Sequence, residues 1–177
     1  MKDIDTIILC ACGTKIISYI GIFKCLFTHK VIDINKLTTY ISCSAGSIIS
    51  LALILFKSLS IFEKFINKYP LKQYIDINDL NDLFNNNGLF TKNKILKTMR
   101  LMIKYKYNQE NITFRQLYEK TKITNIIQVY NLSLHKKEYL SHKTAPDMNI
   151  IDAIDMTVSI PIIFKPVIYN DQYYIDG

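Results

Sequence analysis

The sequence has no tryptophan and few chain-breaking residues, 5 glycines and 4 prolines in 177 positions. So small a supply excludes a collagen-like repeat and a Gly/Pro-rich disordered chain. Cysteine is scarce too, and Cys10, Cys12, Cys25 and Cys43 all fall in the first quarter. That clustering lacks the spread of a disulfide scaffold, so reduced thiols in a cytosolic protein are expected. Cys10 and Cys12 form a C-x-C pair with no second pair and no neighbouring histidine. A metal site needs more ligands, so the pair is read as small buried residues and no metal is assigned. Long hydrophobic runs are also missing. The longest, over 48–56 and interrupted by Ser50, is about half of the roughly 18 residues that cross a bilayer, so no transmembrane helix is expected. Asp3 and Asp5 stand where a signal peptide would carry basic residues, and no cleavage site follows. Export is therefore not expected.

Acids are outnumbered, 15 against 22 lysines and arginines, for a net charge of +7. A basic balance favours anionic partners, nucleic acid or acidic lipid, without choosing between them. No recognised nucleic-acid module accompanies it. Lys92, Lys94, Lys97, Lys104 and Lys106 alternate with apolar residues at helical spacing, which predicts a solvated helix face.

What is present is a 49% apolar composition, enough for one domain with a sizeable core over residues 1–177. A β-branched run predicts a buried strand over 4–10, followed by the small-residue loop Ala11-Cys12-Gly13-Thr14. A helix follows from near Lys15, with apolar positions Ile16, Ile17, Ile20, Phe23 and Leu26. The order then repeats, with a strand over 38–41, a sharp turn over 42–46 and an apolar helix over 47–56. Repeated strand–loop–helix units predict a parallel sheet, and the loops 11–14 and 42–46 should share the crevice at its carboxyl edge. A mostly helical insertion spans 58–122, with helices over 61–69, 78–84, 92–105 and 114–120 and a breaker at 85–88. Strands over 125–132 and 138–141, a short helix over 150–156, and a hairpin of 166–169 with 173–175 about Asn170-Asp171 complete an α/β fold.

Ser42-Cys43-Ser44-Ala45-Gly46 matches the nucleophile-elbow pattern G-x-S-x-G, with serine for the first glycine, between an expected strand and helix. Small neighbours let the central side chain occupy a strained backbone, and the helix that follows aims its amide dipoles at a developing anion. Ser44 is the candidate nucleophile. A serine capping the helix is the other account of the same residues. The 11–14 loop, opening a helix on the same edge, can offer backbone N–H groups to an oxyanion, or can be a plain connection.

Leu9 to Lys15, with Gly21 and Lys24, resembles the opening of the patatin-like phospholipases, where a G-G-G-x-[KR]-G loop precedes a helix. Ser42 to Gly46 resembles that family's serine elbow, Ser159 to Pro166 its S-x-x-P-x-x-F-x-P block, and Asp176-Gly177 its D-G pair. All four follow the family's order across almost the whole chain. The resemblance implies a three-layer α/β sandwich around a mostly parallel sheet, with a helical insertion. It also implies a Ser-Asp dyad in which Ser44 attacks an ester carbonyl and Asp176 is its base. The backbone amides of Cys12 and Gly13 would form the oxyanion hole, with Ala11, Lys15, Ser42, Gly46 and Gly177 as supporting motif residues. No histidine is required, and His29, His135 and His142 lie outside every motif.

The implied activity is hydrolysis of acyl esters in phospholipids or related lipids. It would occur at a peripheral, anionic membrane surface in the cytoplasm, without cofactor or nucleic acid, and the insertion is the natural lid. Ala11, Cys12, Ile16 and Ser42 stand where the family has glycines, and the chain stops at Gly177 where members continue. A positive φ at Cys12 would cost about 1 kcal/mol or more. These departures imply the alternatives of a piece of a longer protein, or an impaired patatin-like protein that binds lipid or a protein partner.

Overall fold

β-branched residues at the amino end form β1 (Thr6–Leu9), and a 3-10 turn (Gly13–Lys15) leads into α1 (Ile16–Thr28). The unit repeats as β2 (Thr39–Cys43) and α2 (Ala45–Phe56). The computed structural model describes residues 4–58, 60–61, 63–64 and 92–177. Beyond residue 91 come α3 (Asn93–Tyr107), α4 (Phe114–Thr121), β3 (Thr124–Asn131), β4 (Lys136–Leu140), α5 (Ile150–Thr157), β5 (Val167–Tyr169) and β6 (Gln172–Asp176).

β1, β2 and β3 are parallel neighbours, with Ile8 opposite Ile41 and Ile41 opposite Ile126. Both steps run the same way across the sheet, so right-handed crossovers place α1 and α2 on one face. Every residue of α2 from Ala45 to Leu55 is buried, as expected of a helix apolar all round. Tyr40, Ile127 and Val129 meet it from the strands within the same core. β3 organises the rest. Its residues 127–131 pair antiparallel with β4 on one edge. The other edge takes parallel β2 along 124–128 and antiparallel β6 along 129–131. β2 running up to Cys43 and β6 running down to Asp176 therefore meet end to end beside Gln128 and Val129.

The hairpin forms about Asn170 and Asp171, both at positive φ (48° and 58°), as a two-residue type I′ turn requires. Thr113 and Gln116 close a capping box that starts α4. Among the described residues no helix is long and apolar enough to cross a membrane.

The structure corrects several expectations. The strand expected to be buried over 4–10 alternates between faces, and Ile8 is 67% exposed, because β1 is an edge strand and α1 and α2 cover one side of it. Ile17 is likewise 55% exposed; α1 buries Ile16 and Phe23 instead. The second helix begins at Ala45 rather than 47, because Ser44 alone makes the turn. Cys10 is exposed and Cys12 half-buried, not packed inside. The helices expected over 78–84 and, past residue 64, over 61–69 lie outside the described residues, as does the 85–88 breaker.

Candidate active site

The chain leaves β2 at Cys43, reverses at Ser44 with φ 52° and ψ −131°, and enters α2 at Ala45. Such a backbone costs of the order of 1–3 kcal/mol and persists only where neighbours hold it. Here the Ser44 N–H donates to Thr157 Oγ1 (2.8 Å), whose hydroxyl donates to the Gln128 carbonyl (2.6 Å). Ser47 donates to the Ser44 carbonyl from both its hydroxyl (2.6 Å) and its N–H (2.9 Å). Gly46 faces the end of β1, where a Cβ would lie 2.8 Å from the Leu9 carbonyl carbon and 2.9 Å from the Cys10 carbonyl oxygen. That position admits no side chain. Ser42 is buried within β2 and donates to the Ile126 carbonyl (3.3 Å), so the glycine missing there carries no backbone penalty.

Asp176 ends β6 and reaches the turn from the opposite direction. Its Oδ2 accepts from Ser44 Oγ at 2.5 Å, and its Oδ1 lies 3.6 Å from Cys43 Sγ. Its N–H donates to the Ser159 carbonyl (3.0 Å). Gly177 packs against β3, with its carbonyl accepting from Gln128 Nε2 (2.6 Å). Burial pushes the Asp176 carboxyl above the ordinary carboxylate range, and the bonds from Ser44 and Cys43 partly offset it. Burial and then the Asp176 charge push the Cys43 thiol up to about 11. Since the thiolate is the reactive form, iodoacetamide at pH 8 is expected to alkylate exposed Cys10 and Cys25 well before Cys43, as read by peptide mass spectrometry.

Register places Leu9 beside Ser42, so the 10–13 loop passes the Ser44 turn. The Cys12 carbonyl accepts from Lys15 N (3.0 Å), and Tyr19 Oη donates to the Cys10 carbonyl (3.1 Å). Cys12 sits at φ −138°, and the positive φ (51°) falls on Gly13. The feared penalty at Cys12 therefore does not arise, and Ile16 is simply helical. The Gly13 and Thr14 N–H groups open the turn, before its first internal bond. Ala11 and Lys15 are exposed beside them. The structure thus brings Ser42, Ser44, Gly46, Asp176 and Gly177 into direct contact with one another or with their shared strands. Cys12 and Gly13 lie in the adjoining loop.

Sequence reasoning missed the supports. Thr157 and Ser159 hold the backbones of Ser44 and Asp176; Ser159 entered the sequence reading only as the start of the 159–166 block, and the signal at Thr157 is polarity inside the apolar stretch 156–160. Lys92, read as part of a solvated face, is a correction: its side chain is 10% exposed and pairs with the Asp155 carboxylate at 2.5 Å. Its ammonium also donates to the Asp155 carbonyl (3.1 Å) and to Ser159 Oγ. Lys92 precedes α3 and turns back toward α5, which helical periodicity does not register. Lys97, Lys104 and Lys106 are exposed as expected.

A family model described as patatin-like phospholipase matches residues 7–177. A protein of Invertebrate iridescent virus 6 named "probable lipid hydrolase" is 35% identical over 150 residues, covering 82% of this chain and 51% of that protein. An uncharacterized protein of Acanthamoeba polyphaga mimivirus is 26% identical over 160 residues, covering 89% and 52%. The chain thus spans about half the length of these viral relatives. Among solved structures, VipD from Legionella pneumophila superposes with a TM-score of 0.68 at 16% identity, over 96% of this chain and 45% of that one. Full-length ExoU from Pseudomonas aeruginosa, in complex with SpcU, gives a TM-score of 0.59 at 16% identity, over 90% and 39%. These two likenesses show a shared α/β fold.

Proposed function

Because the chain belongs to the patatin-like phospholipase family, we propose that it is a lipid acyl hydrolase working through Ser44 and Asp176. The observation that carries this is the 2.5 Å contact between Ser44 Oγ and Asp176 Oδ2, made on a backbone turn strained enough to need four hydrogen bonds around it. In the first step Asp176 takes the hydroxyl proton as Ser44 Oγ bonds to the ester carbonyl carbon. The negative charge on the former carbonyl oxygen falls to the N–H groups of Cys12 and Gly13. Collapse expels the alcohol, which leaves with the proton held by Asp176, and Ser44 carries the acyl group. Water then repeats the sequence, with Asp176 as base again, and releases the fatty acid. Phospholipids or related acyl esters are the substrate class, and the net charge of +7 favours work at an anionic bilayer surface.

The test combines fatty-acid release from anionic phospholipid vesicles with covalent trapping by a fluorophosphonate. Turnover, together with adduct mass on the peptide that contains Ser44, is the expected result. Vesicle binding without turnover and without adduct would instead support the impaired, lipid-binding alternative.

A pH dependence follows from the carboxyl. Asp176 works as a base only when ionised, and burial raises its pKa. The acid limb of kcat is therefore expected above the ordinary carboxylate range, with the rate falling as pH drops through the raised value. A pH-rate profile on a soluble ester checks this, and an acid limb at the pKa of an exposed aspartate would contradict it.

A further inference from the structure

A carboxylate that serves as a base must keep one chosen oxygen on the hydroxyl, and rotation about χ2 carries that oxygen away. Hydrolases with three-membered sites hold the base with a third group. In this chain Oδ2 of Asp176 meets Ser44, and the contact on Oδ1 is Cys43 Sγ at 3.6 Å. The sheet itself brings these two residues together. Cys43 lies opposite Gln128 and Asp176 opposite Val129, on consecutive residues of one β3 edge. The thiol is protonated at neutral pH, because burial and the adjacent carboxylate push it up to about 11, so it is available as a donor. The Asp176 backbone is fixed from the far side by the Ser159 carbonyl.

We propose that Cys43 is a positioning residue for Asp176, its thiol holding Oδ1 so that Oδ2 stays on Ser44. The proposal rests on the dyad reading above and turns the dyad into a three-membered relay from Cys43 through Asp176 to Ser44. Other titratable groups nearby are engaged or stand off: Asp155 of α5 pairs with Lys92, and Cys10 at the end of β1 is exposed. β3 presents Gln128 and Val129 to this end of β6, neither of them titratable. Serine is the conservative replacement at 43, since a hydroxyl also donates.

The experiment follows the Asp176 carboxyl by carbon-13 NMR titration in the wild-type chain, Cys43→Ala and Cys43→Ser, beside kcat and KM against pH on a soluble ester. Removing the donor destabilises the ionised carboxyl, so Cys43→Ala is expected to raise the Asp176 midpoint and move the acid limb of kcat to higher pH. Its kcat should fall about tenfold with KM unchanged, and Cys43→Ser should restore both midpoint and rate toward wild type. An unmoved midpoint in Cys43→Ala, or equal changes in the alanine and serine variants, would overturn the proposal in favour of plain packing. Absence of turnover in the wild-type chain would defeat the dyad reading, and the NMR midpoints would still decide the thiol–carboxylate contact.

Discussion

Ser44→Ala is expected to lower fatty-acid release by about five to six orders of magnitude, and Asp176→Asn by about three to four. Alanine removes the proposed nucleophile, and nothing near it substitutes. Cys43 Sγ is half-buried, holds its proton up to about pH 11 and faces the carboxyl. Asparagine keeps the shape at 176 but cannot take the proton. The double variant should be no worse than Ser44→Ala, because a base without a nucleophile has nothing to activate. Vesicle assays on the three proteins check this, and undiminished release in Ser44→Ala would end the proposal.

Stability should move the other way in Asp176→Asn. The native state binds the Asp176 proton more tightly than the unfolded chain, because burial raises the carboxyl. As pH rises from the ordinary carboxylate range through that raised value, the wild-type chain loses stability that the asparagine variant keeps. Thermal melts at pH 4 and pH 8 should show the difference in Tm shifting in favour of Asp176→Asn at the higher pH. A site that gives up stability to hold a charged carboxylate at neutral pH behaves as functional sites generally do.

Much of this was legible in the residues. Periods of 2 and 3.6 give the two strand–loop–helix units, and Asn170-Asp171 gives the hairpin, because these signals are local. Ser44 was legible because a one-residue reversal tolerates only small neighbours, and Gly46 is the plainest of them. Three kinds of feature were not legible. The end-to-end meeting of β2 and β6 depends on both strands pairing with β3, and it joins residues 133 positions apart, which no local pattern encodes, so the Cys43–Asp176 contact was invisible. Exposure of Ile8 was also hidden, since a β-branched run reads alike whether one or both faces of the strand are covered. Lys92 failed for a third reason: Lys97, Lys104 and Lys106 of the same stretch do face solvent, and only its place before the first turn of α3 turns it toward Asp155.

The glycines offer the sharpest contrast that one methyl group can make. Gly21 lies exposed inside α1 with open space where a Cβ would stand, so Gly21→Ala is expected to stabilise the chain by about 0.5–1 kcal/mol through helix propensity. Gly46→Ala presses the same methyl onto the Leu9 and Cys10 carbonyls. Both are backbone groups, and Leu9 is locked in register with Ser42, so neither can yield as a flexible side chain would. The expected cost is about 3 kcal/mol or more, a fall in Tm of roughly 6–12 °C. The strain also reaches the chemistry, because relief requires the end of β1 to move away from α2, and the 10–13 loop that follows must move with it. Displacing the proposed oxyanion donors in that loop by about 1 Å costs on the order of a hundredfold in rate. Gly46→Ala should therefore lose activity even at temperatures where it remains folded. A variant with wild-type Tm and wild-type turnover would show that the turn does not sit against β1 as described.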